Sequence, residues 1–161
     1  MERLNDFMCE ARQQGDWDAN VFAVLSLLII DPATSQASIA LAGAEPALLR
    51  RASGEIEALE PRGMLLGIEP GHEYAQAGIA LGPSDTLLMV TDGITEARRG
   101  REFLGMDGLS RLLREAEPQG SAQAVGEAIL RGVQGFAAEA GCVGCLSDDA
   151  CVLVVQRLEA E

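Results

Sequence analysis

Two aliphatic runs that border on carboxylates limit most tightly what this chain can fold into. Leu87-Leu88-Met89-Val90 leads into Thr91-Asp92-Gly93-Ile94-Thr95-Glu96-Ala97, and Ser147-Asp148-Asp149 opens the run Cys151-Val152-Leu153-Val154-Val155. Continuous aliphatic runs of this length read as strands buried on both faces, so a carboxylate at the end of one is fixed by the sheet yet open to solvent at its rim. Two such ends can meet. Their oxygens then form a hard-ligand site suited to Mg²⁺ or Mn²⁺, which favour carboxylates and water. The alternative is a pair of ordinary turns, with Asp92-Gly93 as a turn dipeptide and Ser147-Asp148 as a polar cap. Spacing alone leaves both readings open.

The remaining pattern is mixed. Leu4, Phe7, Met8 and Ala11 recur at helical spacing over residues 2–14, and Gly15 ends the segment. A strand over Val21 to Ile30, a turn at Asp31-Pro32-Ala33-Thr34-Ser35 and a mate over Gln36 to Ala42 make a hairpin. Ala47 to Arg51 and Ile56 to Glu60 make a second, around Ser53-Gly54-Glu55. The glycine-rich stretch from Pro61 to Gly71 reads as a loop in which Met64 to Ile68 supply an apolar plug. Glu73 to Leu81 and Thr86 to Thr91 read as a third strand pair around Gly82-Pro83-Ser84-Asp85. Two helices follow, Met106 to Glu115 and Ser121 to Ala140, with Leu109, Leu112, Leu113 on one face and Val125, Ile129, Val133, Phe136 on the other's. Hairpins, then helices, then a returning strand define an α+β chain rather than a Rossmann alternation or an all-β domain.

At 161 residues one domain is expected, and 48% hydrophobic residues supply a substantial core. Aromatics make up only 4%, so that core is built from Leu, Ile, Val and Ala. A net charge of −13 without a basic stripe argues against nucleic acid, whose phosphates require clustered cations. The longest apolar run, from Val21 to Ile30, is too short for a bilayer, where about 20 residues are needed. Glu2, Asp6 and Glu10 are unlike a basic signal-peptide flank, so a cytoplasmic protein is expected.

Cys142-Val143-Gly144-Cys145 lacks the second pair or the histidines that zinc requires, and it precedes an acidic strand start rather than a redox helix. It reads as free cysteines on a loop. Cys151 reads as a small core residue of the last strand, and Cys9 as the same on a helix. His72, the sole histidine, reads as a solvent-exposed loop side chain. Arg98-Arg99-Gly100-Arg101 is the only basic cluster, either a solvated helix end or a contact for a phosphoprotein, since guanidinium groups grip phosphate bidentately.

The order of these segments resembles a known family. Asn5, Leu41-Ala42-Gly43-Ala44-Glu45-Pro46-Ala47-Leu48-Leu49, Gly63-Met64-Leu65-Leu66-Gly67-Ile68, Leu81-Gly82-Pro83-Ser84-Asp85-Thr86-Leu87-Leu88, Thr91-Asp92-Gly93-Ile94-Thr95-Glu96-Ala97, Phe103-Leu104-Gly105 and Asp148-Asp149 follow one another as in the stage II sporulation protein E type of metal-dependent (type 2C) serine/threonine phosphatases. The most specific segment is Thr91 to Ala97 after an apolar strand, in combination with Asp148-Asp149 and the terminal strand. The resemblance implies a sandwich of two mostly antiparallel sheets flanked by helices, with a two-metal Mn²⁺ or Mg²⁺ site at one end. It implies that Asp92 and Asp148 hold the second metal, with Asp149 a neighbouring ligand or an outer acceptor. Gly93 keeps that turn open, and Thr95 and Glu96 are expected at the start of the following helix.

Two departures accompany it. Residues 1–161 hold no match to the family's opening Gly-Asp-x-x-Asp, whose first Asp bridges both metals, so an N-terminally incomplete domain with half a binuclear site is expected. The family's Asn-Ala-Gly-His is replaced by Leu41-Ala42-Gly43-Ala44, without the imidazole. Three readings follow: a phosphatase acting on a phosphorylated regulator such as an anti-sigma-factor antagonist, a catalytically impaired relative that binds a signalling partner, or a plain α+β domain with coincidental acidic strand ends. The absent strands are also expected to leave a sheet edge near Val24, Leu25 and Ile29 through which the chain associates with a copy of itself or with the absent segment.

Overall fold

The computed structural model describes residues 1–15, 21–117, 120–138 and 149–158. In chain order they form α1 (Glu2–Gln14), β1 (Leu25–Asp31), β2 (Gln36–Ala42), β3 (Ala47–Arg50), β4 (Ile56–Leu59), β5 (Ala77–Ala80), β6 (Thr86–Val90), α2 (Asp92–Thr95), β7 (Arg98–Arg99), β8 (Glu102–Phe103), α3 (Gly105–Glu115), α4 (Ala122–Ala138) and β9 (Val152–Gln156). They divide into two compact units, residues 1–46 with 60–81, and residues 47–59 with 82 onward.

The first unit carries an antiparallel sheet in the order β1-β2-β5. Asp31 sets its hairpin, because its carboxylate accepts hydrogen bonds from the Ala33 amide (2.9 Å) and the Thr34 hydroxyl (2.8 Å) and turns the chain back into β2. Pairing then runs without a slip from Asp31↔Gln36 to Leu25↔Ala42. Strand β1 starts at Leu25 rather than Val21; before it, Ala23 forms only an isolated bridge with Leu66. Helix α1 stops at Gly15, whose φ of 79° suits glycine, and the Gly15 amide caps the last turn.

Its buried face differs from the one the apolar spacing predicts. Asn5, Met8, Cys9 and Ala11 are buried, whereas Leu4 and Phe7 are exposed. Asn5 decides the rotation: its amide donates to the Glu69 carbonyl (2.7 Å) and its oxygen accepts from the Gly67 amide (2.9 Å). These bonds satisfy loop groups that burial would otherwise leave unpaired, at about 1–3 kcal/mol each. They also explain why the plug is one residue wide. Leu66 is buried beside Met8, Ala42 and Tyr74, while Leu65 and Ile68 face solvent. His72 is half-buried rather than exposed, its Nε2 accepting from the Met64 amide (3.3 Å) and its ring meeting Tyr74 edge-on at 4.8 Å.

The second unit carries an antiparallel sheet in the order β4-β3-β6-β9. The expected hairpin of Glu73–Leu81 with Thr86–Thr91 does not form: β5 pairs with β2, and β6 pairs with β3 and β9. Asp85 accounts for the difference. Its buried carboxylate accepts from the Gly82 amide (2.8 Å), the Ala52 amide (3.0 Å) and the Arg51 guanidinium (2.8 Å), which ties the turn to the β3–β4 connection. Leu48, Leu88 and Val90 of the sheet share a core with Leu109 and Leu113 of α3 and Val125, Ile129, Val133 and Phe136 of α4. Burying each large aliphatic side chain contributes about 1.5–3 kcal/mol, so these two helix faces, both legible as 3.6-residue stripes, hold α3 and α4 to the sheet. Arg50, only 3% exposed, fixes the register of α3: its guanidinium donates to the carbonyls of Leu113 (2.7 Å) and Ala116 (2.8 Å), where the helix dipole favours a cation.

Candidate metal centre

Strand β6 is buried along its whole length between β3 and β9, and its direction aims the next two residues at the rim of the sheet. Thr91 is the first of them. Its backbone amide donates to the Cys151 carbonyl (3.2 Å), its hydroxyl accepts from the Cys151 amide (2.8 Å), and the same hydroxyl donates to the Asp149 carbonyl (2.9 Å). Thr91 therefore continues the β6–β9 ladder for one residue by side chain and clasps the incoming strand. It starts α2 without capping it, because its hydroxyl is engaged across the sheet.

Asp92 follows at once, exposed, and opens the single turn of α2. One of its oxygens accepts from the Gly93 amide (3.0 Å), and its carbonyl accepts from the Glu96 amide (2.7 Å) and the Thr95 hydroxyl (3.1 Å). Ile94, fully buried, anchors this turn in the core. Thr95 and Glu96 thus end a turn rather than begin a longer helix; Thr95 is buried and Glu96 is exposed. Asp149 is exposed too and meets the clasp through its backbone carbonyl, in the segment that leads into β9. The rim so brings Asp92 and Asp149 to the two sides of one hydrogen-bonded threonine.

Asp148 lies outside the described residues, as do Cys142 and Cys145. Among the described residues no group of three or more His, Cys, Asp or Glu side chains is arranged to hold a metal ion. Two exposed carboxylates at adjacent strand ends are nonetheless hard oxygen donors of the kind that Mg²⁺ and Mn²⁺ take while keeping several waters. Cys151 is exposed, not a core residue, because it precedes an edge strand; alternation tells which side a residue faces but not whether anything covers that side. The sequence signal for the clasp is the threonine itself, Thr91, set between a buried strand and Asp92-Gly93.

The position of the missing imidazole, Ala44, lines a surface groove of about 290 Å³ in the first unit with Leu41, Pro46, Glu60, Pro61, Arg62 and Gly63. Gly43, at φ 66°, makes the turn before it and donates from its amide to the Gly63 carbonyl (2.9 Å). Among the described residues no helix is long and apolar enough to cross a membrane.

An α+β chain with antiparallel sheets and flanking helices is the architecture of PP2C phosphatase domains, and the SiaA PP2C domain of Pseudomonas aeruginosa shares the fold at a TM-score of 0.71 and 19% identity, over 92% of this chain and 58% of that one. The family described as Stage II sporulation protein E (SpoIIE) matches residues 1–158, and the chain belongs to it. Protein IcfG of Synechocystis sp. is 30% identical over 110 residues, which are 68% of this chain and 17% of IcfG. Phosphoserine phosphatase RsbU of Bacillus subtilis is 29% identical over 99 residues, 61% of this chain and 30% of RsbU. The chain thus spans less than a third of the length of these two relatives. PP2C phosphatases depend on Mn²⁺ or Mg²⁺.

Proposed function

We propose that residues 1–161 act as one phosphatase domain of the SpoIIE type, and that its rim, Asp92 with Asp148 and Asp149, holds a Mn²⁺ or Mg²⁺ ion for hydrolysis of phosphoserine or phosphothreonine on a regulatory protein of the anti-sigma-factor-antagonist kind. The observation that carries this reading is the Thr91 clasp, which brings the Asp92 and Asp149 strand ends to one place. Family membership and the phosphoserine phosphatase RsbU support the reaction class. When bound, such an ion lowers the pKa of a coordinated water and offsets the charge of phosphoryl oxygens. The chain's own residues do the positioning. Thr91 holds the Asp149 backbone, the Gly93 amide orients the Asp92 carboxylate, and buried Ile94 keeps the turn from moving. The same proposal includes a cytoplasmic site of action, where such a regulator is available.

A second reading is favoured by Ala44, which stands where the resemblance calls for an imidazole: a catalytically impaired domain that binds the regulator without turning it over. Calorimetry with Mn²⁺ tests the metal, and turnover of a phosphoserine peptide separates the two readings. Weak Mn²⁺ binding that Asp92→Ala abolishes is expected; peptide turnover that Asp92→Ala also removes supports the first reading, and peptide binding without turnover supports the second. Equal binding by the variant would assign the ion to the diffuse acidic surface and remove the basis of the proposal.

A further inference from the structure

All twelve basic residues of the chain are arginines, and three of them lie within Arg98–Arg101, directly after the Asp92 turn. The structure shows what they build. Strands β7 and β8 pair as Arg98↔Phe103 and Arg99↔Glu102, a two-rung ribbon whose base is closed by the Leu104 amide donating to the Ala97 carbonyl (2.9 Å). Both base residues are buried, so the ribbon grows rigidly out of the core. Its two faces differ, as side chains alternate along each strand. On one, Arg99 pairs with Glu102 (2.8 Å) and stacks on Phe136 of α4 (4.7 Å), which fastens the ribbon to the body. On the other, exposed Arg98 lies over the ring of Phe103 (4.3 Å), itself 47% exposed, and Arg101 stands exposed at the tip.

Charge decides what this face fits. The chain carries −13, so an anionic substrate is repelled by the body as a whole and needs a local cationic patch to approach the rim. Within the ribbon three arginines stand against one glutamate, and that glutamate is already paired with Arg99. A guanidinium held over an aromatic ring is restricted in position, so less side-chain entropy is lost when it grips a carboxylate or phosphate. We propose that the Arg98–Phe103 face and Arg101 dock an acidic segment of the phosphoprotein substrate next to its phosphoserine, which makes Arg98 and Arg101 specificity-determining residues. This rests on the phosphatase reading of the Asp92 rim.

The test is fluorescence anisotropy of a labelled phosphoserine peptide with glutamate flanks, without added metal, against the 161-residue chain and its Arg98→Gln/Arg101→Gln variant. A Mn²⁺ titration of the same two proteins runs beside it. The expected result is a loss of at least about tenfold in peptide affinity in the variant, weaker binding of wild type to the same peptide with neutral flanks, a steep fall with salt, and unchanged Mn²⁺ affinity. Equal affinity of the two proteins, no binding by wild type, or indifference to the flanks would overturn the docking proposal and leave the metal reading standing. Ribbon-dependent binding by a protein that takes up no Mn²⁺ would uphold the docking face and sink the phosphatase reading instead.

Discussion

Replacing Thr91 with valine removes one hydroxyl and keeps the shape, so it isolates the clasp between β6 and β9. The hydroxyl makes two hydrogen bonds, donating to the Asp149 carbonyl at 2.9 Å and accepting from the Cys151 amide at 2.8 Å. A hydrogen bond contributes about 0.5–1.5 kcal/mol net, so two give about 1–3 kcal/mol. Thr91 is exposed and water re-solvates both orphaned groups, which places the expected loss in the lower half of that range. For a chain of this size each kcal/mol shifts Tm by about 2–4 °C. The effect on metal should be larger in proportion, because Asp149 loses the bond that fixes its backbone; outer partners of metal ligands are typically worth about 10–100-fold in affinity. Thermal unfolding and Mn²⁺ calorimetry on Thr91→Val and Thr91→Ser read both quantities. The expected pattern is a modest Tm loss and at least a tenfold weaker Mn²⁺ affinity for valine, with serine restoring both. A valine variant that melts earlier but binds Mn²⁺ as wild type does would refute the link between the clasp and the site.

Two further outcomes follow from other parts of the chain. Burial pushes the Asp85 carboxyl up, but the Arg51 guanidinium and the amides of Gly82 and Ala52 outweigh it and hold the group below its ordinary value of 3.8. The folded form therefore binds its proton less readily than the unfolded one, so the contribution is fully present above that value and disappears as pH falls through and below it. Urea unfolding at a series of pH values should show a steeper acid loss for wild type than for Asp85→Asn, and parallel curves would remove Asp85 from the account. Strand β1 lies at a sheet edge with Ile29 62% exposed and Leu27 and Ile30 also exposed, and its one charged residue, Asp31, sits at the hairpin end where the turn takes up its carboxylate, so the middle of the edge carries no charge to block strand addition. Light scattering should show self-association that Ile29→Lys suppresses; a wild-type monomer at high concentration would contradict this.

The sequence disclosed those elements whose determinants are local. The 3.6-residue stripe of Val125, Ile129, Val133 and Phe136 is the buried face of α4, and the Asp31-Pro32-Ala33-Thr34-Ser35 turn placed β2 at Gln36–Ala42. The α+β class held for the same reason. Partners far apart in the chain stayed hidden. Asn5 looked like a polar interruption of an apolar helix, yet its bonds to Gly67 and Glu69 decide which face of α1 is buried. Gly82-Pro83-Ser84-Asp85 looked like a hairpin turn, yet Asp85 is held by Arg51 and Ala52, and the strands on either side belong to different sheets. At the rim, the type of carboxylate and its place after a buried strand were legible. The crossed hydroxyl of Thr91 was not, because reading it requires knowing that β9 lies beside β6.

The most direct test of the central claim, that the ends of β6 and β9 share one ion, is paramagnetic broadening of backbone amide signals by sub-stoichiometric Mn²⁺. The signals of Thr91, Asp92 and Gly93 and those of Asp149, Ala150 and Cys151 should vanish together and first, and Asp92→Asn should spare both sets. Broadening spread evenly over the exposed Asp and Glu residues, or confined to one strand end while the other stays sharp, would contradict the account.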